Sequence, residues 1–342
     1  MTFHTPVLPP FDPVLAARLR ARINGLAKPP GALGRLEELA LQLALIQETE
    51  RPSIDRVEAY VFAGDHGLTA EGVSAYPSAV TAAMVATFLA GRASVNALAA
   101  ACGVEVIVVD AGVDAELAVH PGLVAAKIRR GSRNAAVEPA LTAAEAAAAL
   151  ARGGEIAAAS QAEALVVGEM GIGNSASAAL IMHRLAPASL ADCVGAGAGH
   201  DAAGLARKLA ALERAAARSD AREPLAVLAE FGGLEIAMMA GAFLGGAAAG
   251  KAMVADGFIS SAAALVALRL SPGLAERLIF AHASAERGHA GMLAAIGARP
   301  LLDLGMRLGE GSGGVLAAPL LRSAARLMSE TAALEDVLAG RL

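Results

Sequence analysis

Glu163-Ala-Leu-Val-Val-Gly-Glu-Met-Gly-Ile-Gly-Asn-Ser175 is the stretch on which the fold turns. Its first half, 163–168, is apolar and does not alternate with polar residues. A strand covered on both faces, as in a parallel sheet, has that character. Its second half is a glycine-rich turn ahead of a helical pattern. The same grammar recurs on either side. Strand-like runs read as 57–63 (VEAYVFA), 104–110 (VEVIVVD), 192–195 (DCVG), 251–256 (KAMVAD) and 277–283 (RLIFAHA). Helical runs lie between them, among them 78–101, the alanine-rich 141–161 and the glycine- and methionine-bearing 233–250. Strand then helix, repeated, predicts an α/β chain: a three-layer α/β/α domain on a mostly parallel, doubly wound sheet. Residues 13–49 and 315–342 carry helical pattern and little strand. The organisation expected is therefore a large domain over 50–300, with 1–49 and 301–342 forming a small helical subdomain from both termini.

Composition agrees and excludes several function classes. In 342 residues, 56% are hydrophobic, only 3% are aromatic, and Trp is absent, so the core must be built from Ala, Val, Leu and Ile. The net charge is -5 with no basic stripe, which argues against nucleic acid and against an anionic membrane as partner. No uninterrupted apolar run approaches the ~18 residues of a membrane span. The opening MTFHTPVLPPFDP is proline-rich and lacks an apolar signal core. Cys102 and Cys193 form no CxxC pair. A cytoplasmic protein is the expectation.

Unusual residues collect where strands end. Gly64-Asp-His-Gly67 follows the first run, Asp110-Ala-Gly112 the second, and Gly168 to Ser175 the third. Gly195 to Gly199, then His200 and Asp201, follow the fourth, and Asp256-Gly257 the fifth. His282, Ser284, Glu286 and His289 come after the last. In a parallel sheet these ends share one edge, where ligands bind. Gly171, Gly173, Asn174 and Ser175 form one candidate phosphate cradle, because small residues at a helix start expose backbone N–H groups to an anion. Gly197 and Gly199 form a second, with Lys208 two turns into the next helix as a cation. A third cluster, Leu308-Gly-Glu-Gly-Ser-Gly-Gly314, sets Glu310 between glycines and places Gly311, Ser312 and Gly313 at a further helix start. The four histidines 66, 200, 282 and 289 read as structural turn residues, Asp65 and Asp256 as caps, and Glu235 as a buried, paired acid.

Several long motifs in one order carry a resemblance across nearly the whole chain. They are KPPGALGRLEEL (28–39), FAGDHGLTAEGVSAYP (62–77), GEMGIGN (168–174), FGGLEIA (231–237), DGFISSAAAL (256–265) and PLLDLGMRLGEGSG (300–313). Together they resemble the nicotinate-nucleotide–dimethylbenzimidazole phosphoribosyltransferases. The resemblance implies transfer of ribose 5-phosphate from nicotinate mononucleotide to 5,6-dimethylbenzimidazole or a related base. The products would be α-ribazole 5'-phosphate and nicotinate, in assembly of the cobalamin lower ligand. It implies a homodimer; the sequence has no HExxH and no paired His/Cys ligand spacing, so no cofactor or metal is expected. It places the catalytic base at Glu310 and a second carboxylate at Glu169, with Lys208 and 171–175 handling phosphate and ribose. It puts Ser74, Tyr76, Pro77, Met84 and Leu308 beside the benzimidazole. The chain departs from the pattern at Ala196 and Ala198, where Arg and Thr are common, and at Ser78, Ala79, Ala82 and Ala83, where Gln or Glu is common. A pocket that loses an amide loses a hydrogen-bond test and tolerates apolar rings better.

The chemistry follows from the substrates. Nicotinate on ribose is a pyridinium and leaves as a neutral ring. The attacking benzimidazole nitrogen makes the ring's N–H acidic, and a buried carboxylate of raised pKa can take that proton. A second carboxylate can stabilise the cationic ribosyl carbon. Two rival readings predict different features. A nicotinamide-dependent oxidoreductase needs GxGxxG after the first strand, where the chain has Gly64-Asp-His-Gly67. A non-catalytic azole- or nucleotide-binding paralogue is favoured by Ala196 and Ala198 and opposed by Glu310 and Glu169.

Overall fold

The computed structural model describes residues 3–197, 199 and 201–341. Ala198 and His200, named above, lie outside the described residues. Among the described residues six strands form one sheet: β1 (Val57–Gly64), β2 (Glu105–Gly112), β3 (Leu123–Ala125), β4 (Ala164–Met170), β5 (Ala252–Ala255) and β6 (Leu278–Phe280). The order is β3-β2-β1-β4-β5-β6 and every neighbouring pair is parallel. The strand order reverses direction between β1 and β4, which is where a doubly wound sheet opens a crevice at its carboxyl edge.

Side-chain alternation sorts the core. Tyr60, Phe62, Leu165, Val167, Met253 and Ala255 face one side. There they meet helices Ala143–Ala159, Asn174–Leu185, Leu234–Ala248 and Phe258–Leu270. Ala59, Val61, Ala164, Val166, Ala252 and Val254 face the other. There they share a core with helices Pro13–Asn24, Arg35–Ile46, Ser94–Cys102 and Ser312–Glu330. The two chain ends meet, with Leu26 bridging Ala333. Aromatic residues being scarce, helices must approach closely to fill space. Gly153 lies against the Met238 carbonyl and Gly241 against the Leu150 carbonyl, where any Cβ would overlap backbone.

Three sequence expectations are corrected. Residues 192–195 are not a strand: Leu190–Cys193 is a single helical turn, because the Ser189 side chain accepts the Asp192 N–H and caps it. β3 is an addition to the expected strands, since three residues carry no periodicity and pairing with β2 alone defines them. The run 78–101 is two helices, Ala79–Leu89 and Ser94–Cys102, separated by Gly91 at φ 69°. Gly91 ends the first, being free to adopt the left-handed conformation.

Candidate active site

The carboxyl ends of β4, β5 and β6 frame a cavity of about 310 Å³. Glu169 and Glu310 both line it. Glu169 comes from the end of β4, paired in register with Phe62 of β1. Glu310 arrives from far along the chain because Gly168 has no side chain. A Cβ there would lie 2.5 Å from the Gly311 nitrogen and 2.8 Å from the Glu310 carbonyl carbon. The glycine thus seats the 309–311 turn directly on β4, next to Glu169.

That turn is strained. Gly309, Glu310 and Gly311 have φ of 83°, 63° and 85°. The left-handed region is open to glycine, but for a glutamate it costs roughly 1 to 3 kcal/mol, and such strain gathers at functional sites. Glu310 is 6% exposed and its Oε2 has no hydrogen-bond partner among the described residues. Burial pushes its carboxyl above the usual range; the Val95 amide opposes this and the charge of Asp256 adds to it. Glu169 is pushed up to about 8, chiefly by burial, with Asn174 Nδ2 donating to its Oε2 and opposing. Asp256, Glu235 and Glu310 add repulsion. The resting site therefore holds carboxyls that are reluctant to ionise until a cation arrives.

Gly171, Gly173, Asn174 and Ser175 line the same cavity, at the start of helix Asn174–Leu185. Lys208 lies behind them rather than in solvent: it is fully buried, and its Nζ donates to Ser175 Oγ (2.9 Å) and the Gly195 carbonyl (3.1 Å). Burial lowers its pKa to about 8, with Glu286 opposing. Gly197 lines the cavity and Gly199 does not. The Gly197 N–H donates to Glu286 Oε1 (3.2 Å), so a carboxylate occupies an amide suited to phosphate. Gly311, Ser312 and Gly313 are also placed differently from the phosphate expectation. They do not line the cavity, and the Gly311 and Gly313 amides donate to Asp256. Ser312 Oγ is buried without a partner among the described residues.

Ser74, Tyr76, Met84 and Leu308 line the mouth, with Tyr76 50% and Leu308 54% exposed; Pro77 does not line it. Ser78, Ala79, Ala82, Ala83 and Ala196 stand outside the lining too. Sequence reasoning missed the apolar wall of Val73, Val80, Met170, Ile172, Phe258 and Ile259, and the polar Arg307. Adjacency to a named cluster was the signal available for Met170, Ile172, Phe258, Ile259 and Arg307; Val73 and Val80 carried none. His282 lines the cavity, with Nε2 3.9 Å from Asp256 Oδ1. His289 does not. Burial lowers its pKa to about 3, so it is neutral: Nδ1 accepts the Ser284 N–H and Nε2–H donates to Ser261 Oγ. His66 and Glu235 form a buried pair at 2.6 Å, as the paired reading of Glu235 anticipates.

Comparison with known proteins gives the family. A phosphoribosyltransferase family model matches residues 8–337. A nicotinate-nucleotide–dimethylbenzimidazole phosphoribosyltransferase of Ralstonia nicotianae is 55% identical over 94% of this chain and 93% of its own length. The enzyme of that name from Deinococcus radiodurans is 48% identical over 96% and 93%. The crystal structure of CobT from Thermus thermophilus superposes with a TM-score of 0.91 at 46% identity, covering 95% of this chain and 98% of that one. The chain belongs to the nicotinate-nucleotide–dimethylbenzimidazole phosphoribosyltransferase family.

Proposed function

We propose that the cavity transfers the 5-phosphoribosyl group of nicotinate mononucleotide to 5,6-dimethylbenzimidazole, a step in cobalamin lower-ligand assembly. The observation that carries this reading is convergence: two buried carboxyls of raised pKa share one cavity with a helix-start cradle backed by a buried lysine. The benzimidazole lies against the apolar wall near Met84 and Leu308, and its nitrogen attacks the anomeric carbon. The bond to nicotinate breaks, its electron pair returns to the pyridine nitrogen, and the anomeric centre inverts. The azole N–H proton passes to the free Oε2 of Glu310, which burial has made a better base near neutral pH. Glu169, protonated in the resting site, loses its proton to solvent when the pyridinium nucleotide enters. Its charge then stabilises the ribosyl carbon. Ser175, with Lys208 behind it, at the start of helix Asn174–Leu185, holds the phosphate.

Incubation with nicotinate mononucleotide and dimethylbenzimidazole should release free nicotinate and yield an α-ribotide of matching mass. Binding of both without release would instead favour a non-catalytic binding protein.

We further assign a homodimer. The two helices over 79–102 are apolar with mean hydropathy 1.3, yet only 28% of their most apolar window is buried in one chain. Broken into 11 and 9 residues, each is shorter than the ~20 residues needed to span a bilayer. A second copy of the chain would cover them; sedimentation at monomer mass would refute this. A cytoplasmic location is supported by two unpaired cysteines.

A further inference from the structure

Helix Ser312–Glu330 starts without a cap of its own, because the preceding residue is Gly311. Its first amides are taken by a side chain from 55 to 58 residues earlier. The Gly311 N–H donates to Asp256 Oδ2 (3.2 Å), and the Gly313 and Gly314 N–H groups donate to Oδ1 (2.7 and 3.0 Å). Asp256 follows β5 directly and is 2% exposed. Burial pushes the Asp256 carboxyl above its usual range, while the charge of His282, the three amides and the positive end of the helix favour its ionised form.

The clamped residues stand next to Glu310. Its left-handed backbone is unfavourable for a residue with a Cβ, so something must hold it. Gly168 bounds the turn on the sheet side, and the His282 ring closes on Gly313, where a Cβ would overlap it. Beside the turn's own Ser312 N–H to Gly309 carbonyl bond (3.0 Å), Asp256 supplies its side-chain contacts. Glu310 Oε2 has no partner among the described residues, and the Val95 amide is the one backbone donor to its carboxyl, so the left-handed backbone decides where that carboxyl can reach.

We propose that Asp256 is a positioning residue for the transfer reaction: its carboxylate holds the 309–311 turn left-handed and thereby aims Glu310 at the reacting nitrogen. This rests on the functional reading above. Asp256 also lines the cavity, so the test must separate action through Glu310 from direct contact with substrate.

Asp256→Asn keeps the shape and can keep Oδ1 as acceptor for Gly313 and Gly314, but turns a donor toward the Gly311 N–H. The expected result is a kcat about 10- to 100-fold lower with both KM values within ~2-fold, the signature of misplacement rather than lost binding. In a Glu310→Gln background the same change should cost less than ~2-fold more, because a positioning residue has nothing left to aim. Amide exchange at 311, 313 and 314 should quicken in Asp256→Asn and stay unchanged in Glu310→Gln. Asp256→Ser is the second variant should Asn fold poorly. Equal losses in both backgrounds, a rise in KM at constant kcat, or wild-type kcat in Asp256→Asn would each overturn the proposal. So would loss of fold in both Asp256 variants, which assigns the residue to the fold alone. A wild-type enzyme that releases no nicotinate refutes the functional reading instead.

Discussion

Glu169→Gln should make the protein more stable, and by an amount that depends on pH. Glu169 is 6% exposed, and burial first, then the charges of Asp256, Glu235 and Glu310, raise its pKa from 4.5 to about 8 against the Asn174 hydrogen bond. Below pH 4.5 the carboxyl is protonated both folded and unfolded, so it carries no penalty. As pH rises the unfolded chain ionises while the folded site does not, and the folded state loses ground until the pH passes about 8. Each pH unit in that window costs ~1.4 kcal/mol. At pH 7 the accumulated penalty is roughly 3 kcal/mol. A glutamine keeps an oxygen for Asn174 Nδ2 and cannot ionise in either state. Urea unfolding of both proteins at about pH 5 and about pH 7.5 is the assay. The variant should gain about 4 kcal/mol at the higher pH and under about 1 kcal/mol at the lower. An equal gain at both, or a loss at the higher pH, would refute the view that an ionisation-resistant carboxyl is stored here. Turnover should fall in the same variant, the usual exchange of activity for stability at a strained site.

Glu310→Gln should leave both KM values near wild type and lower kcat by ~10²-fold or more; unchanged turnover at saturating substrates would remove Glu310 from the base role. Glu286→Gln leaves an oxygen for the Gly197 amide but removes the negative charge that a phosphate must meet there, so KM for the mononucleotide should drop about 3-fold or more; a higher KM would show that Glu286 helps to bind. Gly153→Val should destabilise the chain by about 3 kcal/mol with residual activity per folded molecule intact, measured by urea midpoint; a smaller effect would mean that the two helices can separate.

The parallel α/β architecture was legible in the chain because doubly covered strands leave a local record: short apolar runs without alternation, most of them closed by a glycine-bearing turn. Gly168 to Ser175 stood out for the same reason, as a glycine-rich cluster at a strand end, and Glu310 as an acid between glycines ahead of a helix; the roles expected of Glu169 and Glu310 came from the family resemblance. What only the tertiary structure decided is which groups meet. Three-residue β3 exists only through its partner, and 192–195 became a helical turn once Ser189 capped it. Gly311 and Gly313, plausible anion cradles by composition, turn their amides to Asp256. Lys208, indistinguishable in sequence from a surface lysine, is fully buried against Ser175. The physical reason is common to all of these. Periodicity and turn chemistry act over a few neighbouring residues and are written locally. A hydrogen-bond partner 55 residues away, or a shifted pKa, exists only after the sheet has brought distant segments together and excluded water from between them.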